Sequence, residues 1–228
     1  MSRTRGANAP KVVFQDRHAA GRRLAEKLAR YANRTDVVVL ALPQGGVPVG
    51  FEVAEALRAP LDVFLVRKIG LPGHEELAVG AVASGGVPLV NVQELARFQV
   101  SERKIQQVID REKRELARRD RTYRGDAPPP DVRDKTVLIV DDGLATGSSM
   151  QAAVLALRQQ QPAKLVVAVP VAPPEVCDAF RNLADDVVCA STPTPFTAVS
   201  EWYENFAQTT DDEVRRLLAL SPASARRS

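Results

Sequence analysis

The stretch Val137–Met150 reads VLIVDDGLATGSSM, and it carries the strongest chemical signal in the chain. An apolar run ends in two adjacent carboxylates, Asp141 and Asp142, and a loop of small and hydroxylated residues follows. Gly143, Ala145 and Gly147 leave backbone N–H groups unobstructed, while Thr146, Ser148 and Ser149 add hydroxyl donors. A helix starting near Ser148 would bring the partial positive charge of its N-terminus to the same place. This loop suits a phosphate. Two carboxylates beside a bound phosphate would repel it unless they face something else, so sugar hydroxyls or a divalent cation are their sensible partners. Together the residues point to a phosphorylated sugar. The segment is not G-x-x-x-x-G-K-[ST], which excludes a nucleoside-triphosphate loop, and it is not G-x-G-x-x-G, which weighs against a dinucleotide. An acidic turn capping an ordinary helix is the plain structural alternative.

Three further stretches carry side chains that could join this site. In Leu42–Val47 (LPQGGV), Gly45 and Gly46 allow close backbone approach and unusual peptide geometry. A tight strand-to-helix turn would explain the same glycines. Arg67 and Lys68 close the run LDVFLVRK, where a basic pair either meets an anionic ligand or is simply solvated. His74, followed by Glu75 and Glu76, lies in Ile69–Gly80 (IGLPGHEELAVG) as a proton carrier, a metal contact or a polar loop tip. The second histidine that a zinc helix needs at i+4 is missing.

Val137–Ser149 resembles the diphosphoribosyl-binding signature of the type I phosphoribosyltransferases. In that family the acids hold the ribose 2′ and 3′ hydroxyls of 5-phosphoribosyl 1-pyrophosphate, and the loop binds its 5′-phosphate. The resemblance implies that Asp141 and Asp142 are the ribose ligands, with Gly143, Leu144, Ala145, Thr146, Gly147, Ser148 and Ser149 around the phosphate. Gly143 departs from the aliphatic residue usual there. Leu42–Val47 falls where the family places its pyrophosphate loop, which makes Gln44, Gly45 and Gly46 pyrophosphate ligands together with Arg67 and Lys68. Gln44 also departs from the family, which commonly carries Lys or Arg next to this glycine. Ile69–Gly80 resembles the mobile loop that closes over the substrate, and His74 on it joins Asp141, Asp142, Arg67 and Lys68 as a catalytic candidate. The order LPxGGVPVG, VRKxGxPxxxELAxGA, VDDGxATG looks like an uncharacterised bacterial branch of the superfamily. Mg²⁺ is the implied cofactor, held mainly by the ligand, with Asp141 or Asp142 reaching it through water.

These residues need a scaffold that brings distant loops together, and apolar strand-like runs alternating with helical patterns predict one. The expected fold is α/β, a doubly wound and mainly parallel sheet with a variable hood, a flexible loop and an inserted charged helix. Strands are expected at Asp36–Leu42, Leu61–Val66, Lys135–Val140, Lys164–Val169 and Asp186–Ala190. Helices are expected at Ala19–Ala32, Val47–Leu57, Ser148–Gln159, Glu175–Leu183 and Asp211–Leu220. Short strands are expected at Ala78–Ala83 and Val87–Val90. Loops at strand carboxyl ends are where open α/β sheets bind ligands. Ser101–Arg124 reads as a solvated helix with Ile105, Val108, Ile109 and Leu116 as its apolar stripe, and Ala127–Pro130 as a spacer. The whole of 1–228 reads as a single domain with this insert at about 101–125 and an aromatic, helical appendage at 191–228. Within that appendage Phe196 and Trp202 are the candidates for stacking a flat acceptor, against core packing or a dimer contact.

The composition narrows the classes. The 228 residues are 45% hydrophobic and 26% charged, with 13 Gly and 16 Pro, which excludes a mostly disordered or fibrous chain. No apolar run reaches the roughly 18 residues a membrane helix needs, and MSRTRGANAPKVVFQ has no apolar core of a secretory signal. Cys177 and Cys189 have no partners for a metal site, so a reduced, cytoplasmic protein is expected. The net charge of +3 comes from Ser101–Gly125, with nine Lys/Arg against five Asp/Glu, whose interleaved acids argue against tight tracking of nucleic acid. The expected activity is transfer of a phosphoribosyl group to a nitrogen acceptor, such as a nucleobase, by a possible homodimer. The alternatives are a sensor that binds phosphoribosyl pyrophosphate without turnover, with its charged helix as a nucleic-acid contact, and a hydrolase or an enzyme of another phosphorylated pentose.

Overall fold

The computed structural model describes residues 14–86 and 88–221. The chain opens with α1 (Arg17–Lys27), then β1 (Val37–Ala41), α2 (Gly46–Leu57) and β2 (Leu61–Val63). It leaves for a ribbon of β3 (Val66–Leu71), β4 (His74–Ala83) and β5 (Pro88–Val90), followed by α3 (Val92–Arg97) and the long α4 (Glu102–Arg124). It returns through β6 (Thr136–Val140), α5 (Ser148–Gln159), β7 (Lys164–Val171), α6 (Pro174–Phe180) and β8 (Asp186–Ser191), and α7 (Asp211–Leu220) follows.

Five strands form a parallel sheet in the order β2-β1-β6-β7-β8. Both faces are covered, which is why its strands read as unbroken apolar runs. Val37, Val39 and Ala41 of β1 face a core shared with α1, α2 and α7, while Val38, Leu40 and Leu42 face one shared with α5 and α6. Leu138 and Val140 of β6 join the first core, and Val137 and Ile139 the second. The chain leaves β1 toward one edge of the sheet and β6 toward the other. The switch in winding therefore lies between β1 and β6, where such sheets open a crevice. The Leu42 N–H donates to the Val140 carbonyl at 2.9 Å, so the loops leaving both strands start side by side.

The structure departs from the sequence reading in several places. Leu61–Val66 is not one strand: β2 stops at Val63, and Val66 already belongs to the antiparallel sheet β3-β4-β5. The expected mobile loop at Ile69–Gly80 is mostly a paired hairpin with irregular register at Ile69–Leu71. Val87, the first residue of the strand expected at Val87–Val90, lies outside the described residues, as do the N-terminal stretch read for a signal and the end of the appendage. The charged helix is not merely solvated. Ile105 and Ile109 pack on Ile69, Leu71 and Val79 of the ribbon, and Leu116 and Tyr123 join the core of the main sheet. Its C-terminal Arg124 is buried and donates to Asp62 of β2 at 2.8 Å. Finally, Cys177 on α6 and Cys189 on β8 form a disulfide, against the expected free thiols.

Candidate active site

Two loops meet at the crevice. The one after β6 begins with Asp141 and Asp142, and the Asp142 N–H donates to Asp141 Oδ1 at 2.8 Å, fixing the pair. Leu144 is buried and its N–H donates to the Val171 carbonyl at 2.9 Å, so it anchors the loop and does not offer that donor to a ligand. Beyond it, the N–H groups of Ala145, Thr146 and Gly147 have no acceptor among the described residues. Gly147 is the N-cap of α5 and supplies no side chain to the first-turn N–H groups. These donors therefore remain for an anion, helped by the helix N-terminus. Thr146 and Ser148 hydroxyls lie 2.8 Å apart on its exposed rim. Gly147 has φ of +72°, and a β-carbon there would lie 2.6 Å from the ring of Phe180 on α6. Gly143 is explained by the segment after β8: a β-carbon would meet Val199 at 2.6 Å.

The loop after β1, Pro43–Gly46, is built differently. Its Pro43–Gln44 peptide is cis. A β-carbon on Gly45 would lie 2.1 Å from Asp142 Oδ2, and one on Gly46 would lie 2.9 Å from the Asp141 Cα. The glycines thus let this loop press directly on the acid pair. The Gln44 amide donates to Asp211 of α7 at 2.6 Å, and the Tyr123 hydroxyl of α4 donates to the same oxygen at 2.6 Å. Arg67 lines a small cavity of about 120 Å³ with Pro43, Arg119, Asp141 and Ser149. Its guanidinium is held by the buried Glu112 of α4, at 2.9 and 2.7 Å.

Arg17, the first residue of α1, completes the site. Its Nε donates to Asp142 Oδ2 at 2.8 Å, and its Nη1 donates to the Ala207 carbonyl at 2.6 Å. The guanidinium lies 3.9 Å from the centre of the Phe206 ring. Tyr203 donates to the Asp142 carbonyl at 2.5 Å. Burial pushes the Asp141 carboxyl well above the usual carboxylate range, and the charge of Asp142 pushes it further. Burial also raises Asp142, against the hydrogen bond from Arg17 that lowers it. Burial raises the Tyr203 phenol, and the Asp142 charge adds to it. A ligand offering hydroxyl donors and a cation would relieve this crowding of negative charge.

The geometry brings together Asp141, Asp142, the 145–149 loop, Gly45, Gly46 and Arg67. Lys68 is exposed; it lines one cavity of about 510 Å³ with Ser148, Leu155 and Leu89, and another of about 370 Å³ with Arg67, Glu112 and Ser149. His74 is exposed where β4 leaves the hairpin turn and is not joined to the acids. Trp202 is 4% exposed and stacks on Phe196 at 6.1 Å within a core of Phe14, Ala20, Val171 and Tyr203. Its faces are committed to packing. Arg17, Glu112, Arg119 and Asp211 were not signalled by the motifs. Glu112 had a cue, since it falls on the apolar stripe between Ile109 and Leu116; Arg17 had none. Among the described residues no cluster of three metal-ligating side chains occurs, and no helix is long and apolar enough to cross a membrane.

A parallel sheet with a crevice at its winding switch, lined by an acid pair and a donor-rich loop, places the chain among the doubly wound α/β proteins. The model of the phosphoribosyl transferase domain matches residues 14–212, and the chain belongs to that family. It is 43% identical over 202 residues to proteins provisionally named phosphoribosyl transferases in two strains of Mycobacterium tuberculosis. The match covers 89% of this chain and 45% of theirs, so the chain spans less than half the length of these relatives. The crystal structure of TT1426 from Thermus thermophilus is similar at a TM-score of 0.79 and 40% identity, over 90% of this chain and 97% of that one.

Proposed function

We propose that the protein binds 5-phosphoribosyl 1-pyrophosphate with Mg²⁺ and transfers its phosphoribosyl group to a nitrogen acceptor, releasing pyrophosphate. The observation that carries this is the meeting, at one crevice, of Asp141 and Asp142 with N–H donors at 145–147 that have no acceptor among the described residues. The acids take ribose hydroxyls and the loop takes the 5′-phosphate. Both acids are hard oxygen donors, but Asp141 Oδ1 and Asp142 Oδ2 already accept hydrogen bonds. Such a set suits a Mg²⁺ that keeps waters and is carried in by a polyphosphate, with one acid reaching it through water. Mg²⁺ there would neutralise charge on the departing diphosphate. The acceptor nitrogen forms its bond to C1 as the C1–O bond breaks, pyrophosphate leaves with the electron pair, and the proton that nitrogen carried passes to water. The protein contributes positioning and fixed charge, and the carboxylates beside the ribose favour the positive character developing at C1.

Calorimetric titration with phosphoribosyl pyrophosphate and Mg²⁺ tests this reading. Saturable binding by the wild type, lost in the Asp141→Asn/Asp142→Asn variant, is expected. A folded wild type that binds nothing would sink it. A sensor without turnover is favoured by one observation, the tethering of Gln44 to Asp211 away from a basic role. Pyrophosphate release with nucleobase acceptors separates that reading from the enzyme.

A further inference from the structure

We infer that Arg17 is the cation of the diphosphate subsite, standing in for the basic side chain that the Pro43–Gly46 loop lacks. This rests on the phosphoribosyl reading above. The loop's own polar side chain, Gln44, is committed to Asp211. Arg17 reaches the same place from another element. Its Nε is 2.8 Å from Asp142 Oδ2 and would be 3.1 Å from a β-carbon on Gly45, so it lies against both the acid and the loop.

The side chain is held as a built part of the site. It is 11% exposed, stacked on Phe206 and tied to the Ala207 carbonyl. A guanidinium carries five N–H donors. Arg17 commits Nε and Nη1, and its Nη2 makes no hydrogen bond among the described residues.

Lys68 is exposed and lines cavities with Ser148 and, beside Arg67, with Ser149, but neither cavity includes Asp141, Asp142 or Gly45. The other two cations are already paired, Arg67 with Glu112 and Arg119 with Glu115 at 3.3 Å. Of the three arginines, Arg17 alone has as its partner an acid that the ribose would claim. When a ribose hydroxyl takes Asp142, Arg17 loses part of its counter-charge at the moment the diphosphate arrives beside Gly45. A fixed guanidinium then binds the diphosphate oxygens and favours their growing charge as the C1–O bond breaks. In the free protein the same residue favours the ionised form of Asp142, so one cation serves the empty and the filled site in turn.

The test titrates wild type, Arg17→Gln and Arg17→Lys with two ligands in Mg²⁺: phosphoribosyl pyrophosphate, and ribose 5-phosphate, which has the same sugar and phosphate without the diphosphate. Arg17→Gln is expected to lose about 30-fold in affinity for the first and less than about threefold for the second, the loss of a charge-assisted hydrogen bond. Arg17→Lys should recover part, since it restores the charge without the fork. Equal losses for both ligands would reduce Arg17 to a prop for Asp142, and no loss for either would remove it from the site. Should Arg17→Gln fail to fold, Arg17→Lys decides, through a weakened grip on inorganic pyrophosphate with unchanged ribose 5-phosphate binding. A wild type that ignores phosphoribosyl pyrophosphate removes the phosphoribosyl reading and this assignment together. Binding by wild type with equal losses in the variant removes only the assignment.

Discussion

The two loops at the crevice do neighbouring work by opposite constructions. The loop after β6 is self-contained: strand, acids, donors and helix start follow one another within Val137–Met150, and its anion cradle is open backbone. The loop after β1 is committed in every direction. Its glycines press on the acids, Gln44 is tied to α7, and the cations around it come from α1, β3 and α4. A local device depends on backbone conformation, whereas an assembled one depends on tertiary contacts that each contribute a little. Substitutions should therefore cost most on the first side and be spread thin on the second.

The largest effect is expected at Gly147. Its φ of +72° is costly for any side chain, and a β-carbon at 2.6 Å from Phe180 would push on α6. Gly147→Ala should lower stability by about 2–4 kcal/mol and abolish phosphate binding, measured by denaturant unfolding and titration. Gly45→Ala provides the contrast. Its φ of −61° carries no strain and its clash is with the Asp142 side chain that Arg17 holds, so ribose binding should fall while stability drops by only about 1 kcal/mol. Equal destabilisation by both would erase the distinction between the loops.

Next comes Glu112, the buried acid through which α4 holds Arg67 in place. Glu112→Gln leaves the Arg67 guanidinium facing a neutral amide, at a cost of about 2–3 kcal/mol. A loss under about 0.5 kcal/mol would mean that α4 is held to the ribbon by Ile105 and Ile109 alone, and that Arg67 is free to serve the ligand unaided.

This division also explains what could be read from the sequence. The strand, the acid pair, the loop and the helix start lie where the sequence put them because their geometry is set within one strand-loop-helix passage. The parallel sheet was legible because burial on both faces leaves continuous apolar runs. The break at Phe64–Leu65 was hidden, since both residues are buried and nothing in LDVFLV marks a change of sheet. Helix α3 was missed although Asn91 caps it, its Oδ1 accepting from the N–H groups of Gln93 and Glu94, and Glu94 stands three residues on. Arg17 is separated from Asp142 by 125 residues, and no spacing rule links them.

The acid pair itself predicts a smaller, pH-dependent effect. Burial raises Asp141 and Asp142, so the folded chain keeps protons that the unfolded chain releases. Stability should then fall as pH rises from the ordinary carboxylate range, about 4, toward the raised folded values. Asp141→Asn removes much of that slope. It should match wild type near about pH 4 and exceed it by about 2–4 °C in Tm near about pH 8, while losing the sugar ligand. A wild type whose Tm does not fall over this range, relative to the variant, would show the carboxylates to be well solvated.

The smallest effect is expected at Asp211, where the assembled side should be most forgiving. Asp211 is exposed, at the start of α7, and its carboxylate accepts from Gln44 and Tyr123. The hydrogen bond from Tyr123, then that from Gln44, holds it below the usual carboxylate range. Asp211→Ala removes two solvent-screened contacts and a favourable charge at a helix N-terminus, which together amount to about 0.5–1 kcal/mol. Burial and the bond to Asp211 push the Tyr123 phenol up to about 12. In the variant its ring signal, followed by NMR, should titrate lower but stay above the ordinary value near 10, because burial remains. If Gln44 is only a tether, affinity for phosphoribosyl pyrophosphate should move by less than about threefold, well inside what a lost charged contact would produce. A tenfold change would instead make Gln44 a ligand-side group, and the loop after β1 would then resemble the loop after β6 more closely than its tertiary ties indicate.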